Sequence, residues 1–142
     1  MTFSNLNSDI ICNCLDGSII DNSSEFALKT NKDFIRENDF ISHWERGKRS
    51  EDCKEICSYK GKSVTIIKDE DDLNNTLNVF KQLFPFSPSY RPFCTLIKFN
   101  ENSGKVKHTP IDINPLHFDF YKCDNFSIND VTLINTIPLS DV

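Results

Sequence analysis

Four consecutive acids, Asp69, Glu70, Asp71 and Asp72, then Leu73, Leu77, Phe80 and Phe84, and finally Pro85, constrain the fold of this chain more than any other feature. Carboxylates are stabilised at a helix start, where unpaired N–H groups and the dipole are positive. Spacings of three and four place the apolar side chains on one face, and proline cannot continue the helix. The pattern predicts a helix near residues 70–84 with a single apolar face. That face requires a partner, and the flanking segments supply a sheet. Ser63 to Ile67 is a β-branched run. Phe93 to Phe99 and Lys105 to Thr109 are extended runs that residues 100–104 join as a hairpin. Leu116 to Tyr121 alternates with period two, and Val131 to Ile134 reads as a closing strand.

The N-terminal half is less regular. Asp16-Gly17 between Ile10 to Leu15 and Ser18 to Ile20 is a hairpin signal. From Ser23 to Arg46 the apolar residues recur irregularly, and Ser and Asn positions predict one or two short helices, one of them starting at Asn38 or Asp39 and stopping at Gly47. Ser50 to Cys57 reads as a further short helix. The expected fold is α+β: a single domain over 1–142 with a mostly antiparallel sheet of four to six strands. The helix near 70–84 packs on one face, and shorter helices lie in the N-terminal half. Residues 1–60 hold the hairpin and short helices, and 61–142 form a strand-helix-strand-strand-strand core. At 142 residues one hydrophobic core is the expectation, and twelve Phe are its main filler.

Charge narrows the function. A net charge of -5 argues against a general phosphate-binding surface, because non-specific nucleic-acid affinity comes from clustered Lys and Arg. No apolar run reaches the roughly 20 residues of a membrane-spanning helix. The N-terminus lacks the basic and apolar regions of a secretory signal, so a soluble, cytoplasmic protein is expected. Its six Cys are then thiols, with Cys94 and Cys123 buried as small hydrophobes.

Three groups of residues carry potential chemistry. His43 with Cys53 and Cys57 has the donor types of a zinc site, with a fourth ligand needed from Cys12, Cys14 or Cys123; the structural reading puts both thiols and Trp44 in the core. His117, Asp119 and Tyr121 share one face of an alternating strand, and His108 precedes them, so paired histidines could do acid–base work in a small hydrolase or nucleotide-processing enzyme. The structural reading is a solvated strand face. Phe86, Tyr90 and Arg91 lie in a stiff, Pro-rich, aromatic loop of the kind found at protein interfaces; the alternative is a loop tucked over the sheet. Arg46, Lys48, Arg49, Lys54, Lys60 and Lys62 outnumber interspersed Glu45, Glu51, Asp52 and Glu55 by only two, which fits a salt-bridged face better than a phosphate site. With no complete catalytic set, the leading expectation is a small binding or accessory protein acting through protein–protein contacts, for example in toxin neutralisation, defence or regulation. Homo-oligomers are allowed and no cofactor beyond the zinc option is expected.

Overall fold

A computed structural model describes residues 1–6 and 12–142. Six strands, β1 (Glu25–Thr30), β2 (Lys62–Ile67), β3 (Phe93–Phe99), β4 (Gly104–His108), β5 (His117–Lys122) and β6 (Val131–Pro138), form one sheet in the order β4-β5-β2-β1-β3-β6, with every neighbouring pair antiparallel. Two helices, α1 (Cys53–Lys60) and α2 (Glu70–Leu83), lie in the connections. The expected α+β architecture is therefore present.

The acidic run behaves as its charge dictates. Asp69 is the N-cap of α2 and accepts from Asp72 N–H at 2.8 Å, while the Asp72 carboxylate accepts from Lys68 N–H at 3.0 Å. Leu77 and Phe80 are buried against Ala27, Ile67, Cys94, Leu96 and Leu139, so α2 covers the middle of one sheet face. The opposite face gathers Phe26, Leu28, Val64, Ile66, Ile97, Phe99, Val106 and Phe120, with Phe40 laid over them. Phe99 of β3 and Phe120 of β5 stack at 4.0 Å between ring centroids, although β2 and β1 lie between their strands. Three strand spacings in a flat sheet span about 14 Å. The sheet is therefore strongly curled, and this aromatic face is its concave side.

Three expectations about strands and hairpins need correction. Glu25–Thr30, expected to be helical, is the central strand β1. Phe26, Ala27 and Leu28 are all fully buried because both faces of β1 are covered, which erases the alternation that marks a half-exposed strand. Phe93 to Phe99 and Lys105 to Thr109 do not form a hairpin. β3 pairs with β1 and β6, and the chain then crosses the sheet so that β4 pairs with β5 at the far edge. Finally, Asp16-Gly17 does turn, with Gly17 at φ 79°, but Ile19 exchanges hydrogen bonds of 2.8 Å with Val106 of β4. Residues 10–11 of that expected hairpin lie outside the described residues.

The helix expected after Asn38 is reduced to a 3-10 turn, Glu37–Phe40, and a separate turn at Ser42 to Gly47, in which Ser42 and Glu45 cap each other. The helix expected over 50–57 begins at Cys53, capped by Asp52, and continues to Lys60.

Candidate functional site

On β5, strand alternation sends His117, Asp119 and Tyr121 to the face that carries the helices, while Phe118 and Phe120 turn into the concave core. Register brings Ser63 of β2 and Lys107 of β4 to either side of Asp119. His117 Nδ1 lies 2.8 Å from the Thr109 carbonyl, so it must be the protonated nitrogen, since a carbonyl only accepts. Its Nε2 meets the Ser63 hydroxyl at 3.0 Å. Lys107 Nζ reaches the Cys14 carbonyl at 3.4 Å, and Tyr121 donates its hydroxyl to the Cys57 carbonyl at 2.9 Å. Gly61 lies so close above Asp119 that a Cβ there would stand 2.9 Å from the Asp119 Cβ. Only a residue without a side chain lets the start of β2 pass over the carboxylate.

Asp119 is 4% exposed, and Tyr121 is 2% exposed. Burial raises the Asp119 carboxyl above its ordinary value of 3.8, against the opposing pull of His117, Thr109 and Lys107. Burial, reinforced by Asp119, also raises the Tyr121 phenol. A carboxyl whose native pKa exceeds its unfolded one binds more protons in the folded state, so its contribution favours folding at low pH and is lost as pH rises through the window above 3.8. Asp119→Asn removes that titration. The difference in unfolding free energy, variant minus wild type, is expected to be more positive at pH 7 than at pH 4. Urea denaturation at the two values measures it, and an unchanged or reversed difference contradicts the burial account.

His108 does not join this group. It projects from the opposite face of the sheet, stacked on Phe118 at 4.8 Å, and Nε2 donates to the Pro115 carbonyl at 2.8 Å. The two histidines of the acid–base reading are thus divided by the sheet. His117, Asp119 and Tyr121 are brought together with Ser63, Lys107 and Thr109, as a polar network that is buried at Asp119 and Tyr121, reaches the surface at Ser63, and fastens α1 and the Cys14 segment to the sheet. The alternation of Lys105 to Thr109 was the one sequence signal pointing to Lys107 and Thr109. A groove of about 610 Å³ lies elsewhere, between the start of α2 and the ends of β1 to β3, and holds none of these residues.

The cysteines are arranged differently from the expectation of six thiols. Cys12 is disulfide-bonded to Cys53 and Cys14 to Cys57, each pair 5.2 Å apart at Cα. Cys94 and Cys123 are the buried free thiols, as expected, and burial pushes Cys94 up to about 12. Cys53 and Cys57, one turn apart on α1, therefore face Cys12 and Cys14, whereas His43 packs edge-on against Tyr59 with centroids 6.5 Å apart. Burial, then Lys48, Lys62 and Arg46, hold its imidazole below 6.5. With the sulfurs so bonded, no group of three or more His, Cys, Asp or Glu among the described residues is arranged around a metal position.

Half of the basic cluster lies over aromatic rings. Trp44 lies beneath both Arg49, at 4.2 Å, and Lys60, at 4.6 Å, while Lys48 lies over Tyr59 at 4.5 Å. Trp44 N–H also donates to the Tyr59 carbonyl at 2.9 Å, which ties the turn to α1. In the Pro-rich loop, Ser87 and Tyr90 bridge each other in a tight turn. Phe86 is 49% exposed and Arg91 is exposed, while Tyr90 is half-buried with Lys29 over its ring at 5.8 Å. The loop is thus neither wholly tucked in nor wholly free.

β6, expected only as a closing strand, presents a further surface. It is an edge strand of eight residues, Val131–Pro138, without a charged side chain, in a chain that is 26% charged. Leu133 and Ile134 are 40% and 41% exposed. Asn100 N–H donates to the Asp130 carbonyl and Leu139 N–H to that of Pro92. Since bonded and non-bonded pairs alternate along an antiparallel ladder, these anchors direct the peptide groups of Leu133 and Thr136 away from β3. Phe93 pairs with Pro138, so the loop carrying Phe86, Tyr90 and Arg91 adjoins the end of β6.

Among the described residues no helix is long and apolar enough to cross a membrane. Comparison of the chain with protein-family models, with curated proteins and with solved structures produced no match.

Proposed function

We propose that this protein is a binding module that acts through protein–protein contact, accepting an extended, apolar-patterned segment of a partner along the outer edge of β6. The observation that carries this reading is the absence of charge from an eight-residue edge strand with Leu133 and Ile134 exposed. Edge strands present unpaired N–H and C=O groups, and proteins ordinarily blunt them with charges, bulges or cover. The opposite edge, β4, has Ile19 bridged to it. β6 carries a bulge opposite Leu96 and Ile97, and the Asn135 side chain accepts from Thr136 N–H at 2.9 Å, but Leu133 and Ile134 are left as an apolar ledge. Main-chain pairing gives such a complex its affinity and the side-chain ledge its selectivity. Phe86, Tyr90 and Arg91 extend the same surface.

The separation of His108 from His117 and the burial of Asp119 and Tyr121 give the hydrolase reading less support than this one. Introducing a charge tests the binding reading directly. Ile134→Lys is expected to weaken capture of a stoichiometric partner at least tenfold with the thermal melt unchanged, and Tyr90→Ala or Arg91→Ala to weaken it by about 1 kcal/mol or more. A concentration-dependent dimer abolished by Ile134→Lys would identify the accepted segment as β6 of a second copy. Partner capture that is indifferent to all three substitutions overturns the assignment of this surface.

A further inference from the structure

Cys12 and Cys14 approach α1 from a segment in which Asn13 adopts the left-handed conformation, φ 53°, and each meets a cysteine on the same side of that helix. The two pairs are adjacent, since Cys57 Sγ lies 3.9 Å from the Cys12 carbonyl oxygen. Four sulfurs from two short segments thus occupy one small region, and both cross-links are made between the same two segments. Two parallel disulfides there are largely redundant as restraints. As donors the four sulfurs are a complete set.

From this arrangement we infer that the reduced protein binds one Zn²⁺ through the thiolates of Cys12, Cys14, Cys53 and Cys57. A tetrahedral tetrathiolate site has Zn–S bonds of about 2.3 Å and sulfurs about 3.8 Å apart. Across each pair, the Cα separation of 5.2 Å permits this by a modest opening of the sulfurs. Along α1, residues four apart carry Cβ atoms about 5–6 Å from each other, within reach of one ion. Cys53 is the first residue of α1, where the helix start favours a thiolate. A Zn(Cys)₄ centre carries two net negative charges; Lys54 is adjacent to Cys53 in sequence, and Lys107 Nζ already contacts the Cys14 carbonyl.

Interconversion balances with a dithiol reductant. Each disulfide takes two electrons and two protons from one equivalent, which becomes a cyclic disulfide, and two equivalents yield four thiols. Zn²⁺ then displaces four protons. In a reducing compartment disulfides do not persist, and this site gives the four cysteines a cross-link that does. The inference is independent of the contact surface on β6, which lies at the opposite edge of the sheet from β4 and Lys107.

The test uses the full chain, reduced anaerobically with dithiothreitol, freed of reductant and titrated with Zn²⁺ or Co²⁺. One metal per chain is expected, together with thiolate-to-cobalt charge-transfer bands and protection of four thiols from alkylation. His43→Ala, Cys94→Ser and Cys123→Ser should bind unchanged, while Cys12→Ser and Cys53→Ser should each weaken binding at least a hundredfold. If the reduced chain unfolds without metal, Zn²⁺ should restore its circular dichroism. Failure of Zn²⁺ to bind or to refold the reduced chain overturns the inference. So does binding that survives Cys12→Ser and Cys53→Ser, or binding that His43→Ala abolishes.

Discussion

Replacing Phe120 with alanine is expected to lower the unfolding free energy by about 3–5 kcal/mol, a large part of the roughly 5–15 kcal/mol available to a domain. Phe120 is 2% exposed and stacks on Phe99 at 4.0 Å, with Phe40 at 6.1 Å and Phe126 at 5.7 Å meeting it edge-on. Its removal forfeits both the transfer of a ring out of water and the contacts of three aromatic neighbours. Collapse would offset little, because Phe99 and Phe120 come from strands held apart by β2 and β1. Phe86→Ala is the control: that ring is 49% exposed and its loss should cost within about 0.5 kcal/mol. Urea denaturation of the two variants gives the comparison. Equal losses would mean that the curled aromatic face is not the centre of stability.

Loss of both cross-links from the oxidised, metal-free protein is expected to cost about 4 kcal/mol, the closure entropy of a loop of roughly 40 residues. The sequence separations are 41 and 43. Either pair alone already closes that loop. Removing one pair as Cys12→Ala with Cys53→Ala, or as Cys14→Ala with Cys57→Ala, should therefore cost much less than half of what the fourfold variant loses. Non-additivity of this kind is the signature of links that share one constraint. Denaturation of the wild type, the two double variants and the fourfold variant under non-reducing conditions measures it. Additive losses would show that each bridge stabilises through local packing and not through the loop.

The α2 segment was legible because everything that makes it a helix is local: Asp69 and Asp72 cap it, Leu77 and Phe80 define its buried face, and Pro85 follows its end. Strand β5 was legible for a similar reason, since its alternation separates a core face from a polar one. β1 was not, because burial on both faces removes the very contrast that marks a strand. The pairing of β3 was also hidden. Nearness in sequence favoured a hairpin with β4, but β3 has apolar residues on both faces, with Cys94, Thr95, Leu96 and Ile97 all buried. It belongs in the interior of the sheet, between β1 and β6.

The candidate sites divide along the same line. That His117, Asp119 and Tyr121 share a face followed from period two, but that His108 belongs to the opposite face depended on the register of β4 against β5. The exposed apolar edge of β6 depended on strand order, since the same residues in an interior strand would be core. Cys53 and Cys57 stood out from their helical spacing alone; their meeting with Cys12 and Cys14 required a segment some forty residues away to be folded against α1. By itself the sequence determined what short-range forces settle: the capped helix, the strand faces and the α+β class. The order of the strands, the curl of the sheet, the edge left open and the gathering of four sulfurs were decided only by tertiary structure, because each depends on contacts between residues far apart in the chain.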